Sequence, residues 1–98
     1  MVIEQVREQM QEATRPVVKI LKQGDGYKVI TIGLKKEVVL KEHKTAVSAM
    51  LVILEGEVLY NEAKRSVELK KDAEFEIPVN VLHGLLAVED SICLLIQG

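Results

Sequence analysis

Apart from its charges, this chain of 98 residues holds little reactive side-chain chemistry: two histidines, one cysteine and two tyrosines. His43 lies in "LKEHKT" and His83 in "VLHGLL". Imidazole titrates near neutral pH, so it can move protons, and its free nitrogen is a common transition-metal ligand. Two imidazoles alone fall short of the three protein ligands usual in a catalytic zinc site, or of the two His and one carboxylate of a non-haem iron site. Glu42 stands next to His43, but neighbours on a strand point to opposite faces, so it supplies no third donor. The same two rings also read as polar groups bonded to each other, to a hydroxyl such as that of Thr45, or to water. Cys93, in "SICLLI", has no cationic neighbour to stabilise a thiolate and reads as a small core hydrophobe. The "GDG" at 24–26 is too short for a phosphate loop and reads as a turn.

Composition narrows the partners. Lys and Arg total 13 against 15 Asp and Glu, a net charge of −2, which argues against a nucleic-acid or anionic-membrane surface. Tyr27, Tyr60 and Phe75 are the only aromatic residues, too few for a base-stacking platform. The opening "MVIEQVREQM" carries acids and no long apolar run, so it does not read as a signal peptide. No stretch approaches the roughly 18 apolar residues of a membrane helix. The expectation is a cytoplasmic protein without nucleic-acid or membrane partners.

The elements that must position the histidines follow from periodicity. Val2 or Ile3, Val6, Met10 and Ala13 recur at helical spacing between polar residues, which predicts an amphipathic helix ended by Pro16. After Pro16 the period changes. Short runs rich in strand formers follow at 17–21, 27–34, 37–40, 46–54, 57–61, 66–70, 74–78, 82–88 and 91–96, with turn-like breaks between them. This cadence predicts an all-β sandwich or barrel, and the gaps are too short for the crossover helices of a parallel sheet. In "SAMLVIL" and "SICLLI" both faces are apolar: Ala49, Leu51 and Ile53 oppose Met50, Val52 and Leu54, while Ile92, Leu94 and Ile96 oppose Cys93 and Leu95. A strand with one wet face alternates apolar and polar, so these two require cover on both sides. One face lines the interior; the helix, a second sheet or a second subunit covers the other.

The order of residues from Val17 to Gln97 resembles the small single-domain cupins. Their first motif runs glycine, five residues, His-x-His, three or four residues, Glu, six residues, glycine. Glu37 stands here at the first glycine, His43 at the first His, Thr45 at the second, Ala49 at the Glu, and Gly56 keeps the last glycine. In the second motif Asp72 stands at the first glycine, Pro78 keeps the proline, Asn80 stands at the second glycine, His83 keeps the His and Ala87 replaces the Asn. Asn80 is a mild departure, because Asn tolerates left-handed backbone, whereas Glu37 and Asp72 are larger ones.

The resemblance implies an all-β, cupin-type jelly-roll β-barrel with a short N-terminal helix: residues 1–15 form the helical arm and 16–98 the barrel. It also implies that the family's metal set of three His and one Glu is eroded to His43 and His83. The expected site is therefore a small-molecule pocket formed by His43, Thr45, Ala49, Leu51 and His83, with no catalytic residue and no cofactor. A homodimer is expected, both from the two-sided apolar strands and because small cupins commonly pair. Two alternatives stay open. One is a metal-dependent enzyme of dioxygenase or isomerase type, holding a weak divalent transition metal on His43 and His83. The other is a structural β-domain with a vestigial pocket.

Overall fold

The apolar alternation is resolved by two facing antiparallel sheets. The computed structural model describes residues 1–98. One helix, α1 (Val2–Met10), precedes nine strands: β1 (Val17–Gly24), β2 (Tyr27–Leu34), β3 (Val39–His43), β4 (Ala49–Glu55), β5 (Glu57–Glu62), β6 (Ser66–Lys70), β7 (Glu74–Ile77), β8 (His83–Ala87) and β9 (Ser91–Gln97). The larger sheet has the order β1-β2-β9-β4-β7 and the smaller β3-β8-β5-β6. This is the all-β jelly-roll architecture. Ala49, Leu51 and Ile53 of β4 and Cys93 and Leu95 of β9 point between the sheets, where they join Ile32, Leu34, Val58, Tyr60 and Leu85 in one buried core.

The other face of the larger sheet is only partly covered. In α1, Val6 is 0% and Met10 2% exposed, and both rest on Gly33 of β2. A Cβ at Gly33 would lie 2.5 Å from Val6 Cγ1 and 3.2 Å from Met10 Sδ, so glycine sets how closely the helix docks. Burying these two side chains contributes roughly 1.5–3 kcal/mol each, which a nine-residue helix needs because so short a helix is marginal alone. An exposed ion pair joins Arg7 to Glu55 of β4. Lys35 Nζ donates to Gln11 Oε1 at 3.0 Å and to Asp90 Oδ2 at 2.9 Å. Beyond the helix, Met50, Val52, Leu54 and Leu94 are half-buried and Ile96 is 39% exposed.

Several boundaries differ from expectation: β1 runs on to Gly24 rather than ending at 21, and three others have clear local causes. The helix stops at Met10 instead of continuing to Ala13, because Gln11 N–H bonds Glu8 O and Ala13 N–H bonds Met10 O, one residue tighter than α-helical spacing. β3 begins at Val39 rather than 37 and runs on to His43, because Glu37 is in a turn with φ of 75°. β4 begins at Ala49 rather than 46: the Thr45 hydroxyl engages the backbone of Val47, and Thr45 O accepts from Asn80 N–H at 2.8 Å.

Every position where the resemblance aligns a motif glycine has positive φ: Glu37 at 75°, Asp72 at 73°, Asn80 at 60° and Gly56 at 84°. Backbone bonds hold the three non-glycine residues there, from Glu37 N–H to Ala87 O, Asp72 N–H to Ile53 O and Asn80 N–H to Thr45 O, each 2.8 Å. At Gly56 a side chain would collide with Asp90 O and Ser91 Oγ. That serine is fully buried, accepting from Glu57 N–H at 3.0 Å and donating to Glu89 O at 2.7 Å.

Left-handed backbone costs a residue with a Cβ about 1–2 kcal/mol, partly offset by the roughly 0.5–1 kcal/mol that glycine loses in chain entropy. Glu37→Gly and Asp72→Gly are each expected to raise stability by about 0.5–1 kcal/mol in urea unfolding, while Asn80→Gly is close to neutral. Thr31 offers a second test. It shares the outer face with Gly33, is 0% exposed, and its hydroxyl has no hydrogen-bond partner. Thr31→Val keeps the shape and removes the orphan, so stability should rise by about 1 kcal/mol. A loss of stability in the same measurement would mean that the hydroxyl is bonded.

Candidate functional site

The last residue of β3 and the first of β8 are register partners, and they are His43 and His83. The ring centroids are 4.4 Å apart with planes tilted by 56°. His83 is 2% exposed, while His43 is exposed at the rim. Each ring is held by a backbone carbonyl two residues back: His43 Nδ1 lies 3.0 Å from Lys41 O, and His83 Nδ1 2.9 Å from Val81 O. A carbonyl only accepts, so Nδ1 carries the proton in each neutral ring and Nε2 keeps its lone pair. No protein group bonds either Nε2.

Between the sheets the rings face aliphatic surface. They share a chamber of about 10 Å³ with six apolar side chains, among them Leu40, Leu51 and Leu85. That is room for about one water molecule. Of the five expected pocket residues, the structure brings His43, Leu51 and His83 together around this chamber. Thr45 and Ala49 do not line it. Thr45 is half-buried with its hydroxyl turned to Val47, and Ala49 is packed into the core at the start of β4.

The chamber is small because an aromatic cluster fills the space beside it. The Tyr60 ring is fully buried, stacked on His83 with centroids 5.5 Å apart and tilted by 49° against Phe75 at 4.5 Å. Its hydroxyl donates to Glu62 Oε2 at 2.5 Å. Arg65 closes the arrangement, donating to both Glu62 oxygens from Nε at 2.8 Å and Nη2 at 3.0 Å. The guanidinium carbon lies 5.9 Å from the Tyr60 centroid and 5.5 Å from that of Phe75, within cation–π range. Glu62 is also the register partner of His83 across β5 and β8. Sequence reasoning missed Tyr60, Glu62 and Arg65. The available signal was the i, i+2 spacing of Tyr60 and Glu62 on one strand face.

Titration follows from these contacts. Arg65, and then the Tyr60 hydroxyl, hold the Glu62 carboxyl below its usual range. Burial, reinforced by the bond to Glu62, pushes the Tyr60 phenol up. Burial alone pushes the Cys93 thiol up to about 12, which leaves it protonated and unreactive at neutral pH.

No group of three or more His, Cys, Asp or Glu side chains converges anywhere in the chain. Near the two imidazoles, the Thr45 hydroxyl is engaged by Val47 and residue 49 is an alanine.

No protein-family model and no curated protein matches the chain. Solved structures do match. An RmlC-like cupin from Desulfovibrio desulfuricans superposes with a TM-score of 0.80 at 22% identity, over 90% of this chain and 91% of that one. A conserved protein with a double-stranded β-helix domain from Klebsiella pneumoniae gives 0.82 at 14% identity, over 95% and 85%. KdgF from Halomonas gives 0.76 at 18% identity, over 84% and 77%. The two-sheet jelly roll is thus the fold of the small cupins. No helix is long and apolar enough to cross a membrane.

The Glu62 contacts set an expectation for acid stability. With its folded pKa depressed, the unfolded chain binds the proton more tightly, so the contribution of Glu62 is present above the ordinary carboxylate value of 4.5 and is lost as pH falls through the folded value. Glu62→Gln should flatten the fall in stability below about pH 4.5 while leaving in place the share of Glu55, depressed by its bond to Arg7, and of Asp90, depressed by the Lys36 backbone N–H and then by the Lys35 side chain. Identical acid limbs for the two proteins in urea unfolding would refute this assignment.

Proposed function

We propose that this protein is a non-catalytic, cytoplasmic cupin that binds a small molecule at the His43 and His83 pair. The observation that carries the reading is the pair itself: two facing imidazoles whose Nδ1 atoms are engaged by backbone and whose Nε2 lone pairs are uncommitted, in an otherwise aliphatic lining. Such a site accepts a hydrogen bond from a hydroxyl or amide group. The chamber admits only a group of about that size, so the body of the ligand remains outside the barrel. Glu62, the nearest carboxylate in register, is committed to Tyr60 and Arg65, which leaves no acid to complete a catalytic pair. A homodimer would cover the half-buried side chains of β4 and β9 that α1 leaves uncovered.

The second reading, a weak two-His metal site, draws on the carbonyl bonds to both Nδ1 atoms, since metal-ligating histidines are commonly oriented in that way. Metal analysis of protein purified without added metal or chelator separates the two, because stoichiometric metal would replace the small-molecule reading. A thermal-shift screen against hydroxylated and amide metabolites is expected to yield a stabilising ligand whose effect disappears in His83→Gln. If no compound shifts the wild type, the pocket is vestigial. Light scattering should give twice the 11.0 kDa chain mass, and a monodisperse monomer at micromolar concentration would remove the dimer.

A further inference from the structure

Leu40 and His43 each line two cavities. Besides the small chamber, they form part of the wall of an open groove of about 900 Å³ on the outside of the barrel. The groove lies between the segment 13–16 that leads into β1 and the run 35–43 that contains β3. β3 is the edge of the smaller sheet and pairs only with β8. The volume falls within the roughly 300–1,000 Å³ of small-molecule sites.

Its charge is opposite in sign to that of the whole chain. Four cations, Arg15, Lys35, Lys36 and Lys41, line it against two acids, Glu37 and Glu42, which gives +2 where the protein carries −2. Lys35 is committed to Asp90, and Arg15, Lys36 and Lys41 have no acid within ion-pair distance. Pro16, Val39 and Leu40 supply apolar surface in the same groove, with Val39 52% exposed, while Val38 at its wall is packed into the core.

We infer that this groove binds an amphiphilic organic carboxylate, with the carboxylate among Arg15, Lys36 and Lys41 and the hydrocarbon body along Val39 and Leu40. Unpaired cations beside exposed aliphatic side chains match a molecule with one anionic end and one apolar end. A neutral apolar ligand would leave the charges unused, and a compact inorganic anion would leave Val39 in water. The inference goes beyond the binding reading for the histidine pair and does not require the chamber to admit anything. His43 and Leu40 stand as the partition between the two.

The test is an NMR titration of the whole chain with octanoate, and with octanamide as the neutral isostere, following backbone amides and the His83 ring protons. Saturable octanoate shifts are expected at 13–16 and 35–43, with octanamide at least about tenfold weaker. Lys36→Gln combined with Lys41→Gln should weaken octanoate about three- to tenfold, the scale of two exposed charge contacts. Near 1 M salt, where the screening length is roughly 3 Å, the preference for the anion should vanish. Equal affinity for the amide, indifference to the double variant, shifts centred elsewhere on the surface, or no shift up to the solubility limit would each overturn the proposal. Octanoate shifts confined to the His83 ring would overturn it too, while leaving the reading of the histidine pair standing.

Discussion

The chain passes between its two sheets six times, and at four of those passages one residue holds a positive φ. Glu37 turns β2 towards β3, Gly56 joins β4 to β5, Asp72 joins β6 to β7, and Asn80 lies between β7 and β8. A jelly roll depends on these corners. Each turns the chain across the thickness of the barrel in a few residues, and at these four a left-handed residue makes the bend. Three corners are secured by backbone bonds, from Glu37 to Ala87, from Asp72 to Ile53 and from Asn80 to Thr45, and the last pins the loop after His43 to the one before His83. The site therefore inherits its geometry from the corners.

Filling of the barrel decides where chemistry can occur. In so small a sandwich the aromatic residues on β5 and β7 occupy volume that a longer chain could leave open. Tyr60 stacks on His83, Phe75 packs on Tyr60, and Arg65 caps both rings while neutralising Glu62. A buried phenol needs an acceptor, and Glu62 supplies it; a part-buried carboxylate needs a cation, and Arg65 supplies that. The chain of dependence runs from the ring outward to solvent. The space left open lies in the small chamber at the histidines and in the groove outside β3.

Much of this was legible in the residues. The change of period at Pro16 and the double-sided runs at 49–54 and 91–96 marked nine strands and the two that cross the middle of the larger sheet. The boundaries of β3 and β4 were not legible, because apolar content at 37–38 and 46–48 reads as strand whatever the backbone does. Left-handed Glu37 and the side-chain turn at Thr45 decide those positions, and neither leaves a hydrophobic signature. His43, His83 and Leu51 could be placed together because spacing carries over from a related fold. Thr45 and Ala49 were placed by the same alignment but sit in a loop and in packed core, since their own side chains find better partners there. The Tyr60, Glu62 and Arg65 assembly escaped because it is local to one hairpin and looks, as a string, like an ordinary polar turn.

The single thiol gives the molecule a built-in stopwatch. Cys93 is fully buried on β9, which is bonded to β2 on one side and to β4 on the other. β9 is the C-terminal strand, yet it is paired on both sides, so movement of α1 or of an edge strand leaves the Cys93 sulfur covered. Parting of the sheets, or release of β9 from its two neighbours, brings solvent to it, and the second breaks pairing in the middle of the larger sheet. With a reagent that reacts faster than the barrel recloses, the rate of capture therefore times that opening. Since no second cysteine exists to pair with it, each captured molecule is counted once.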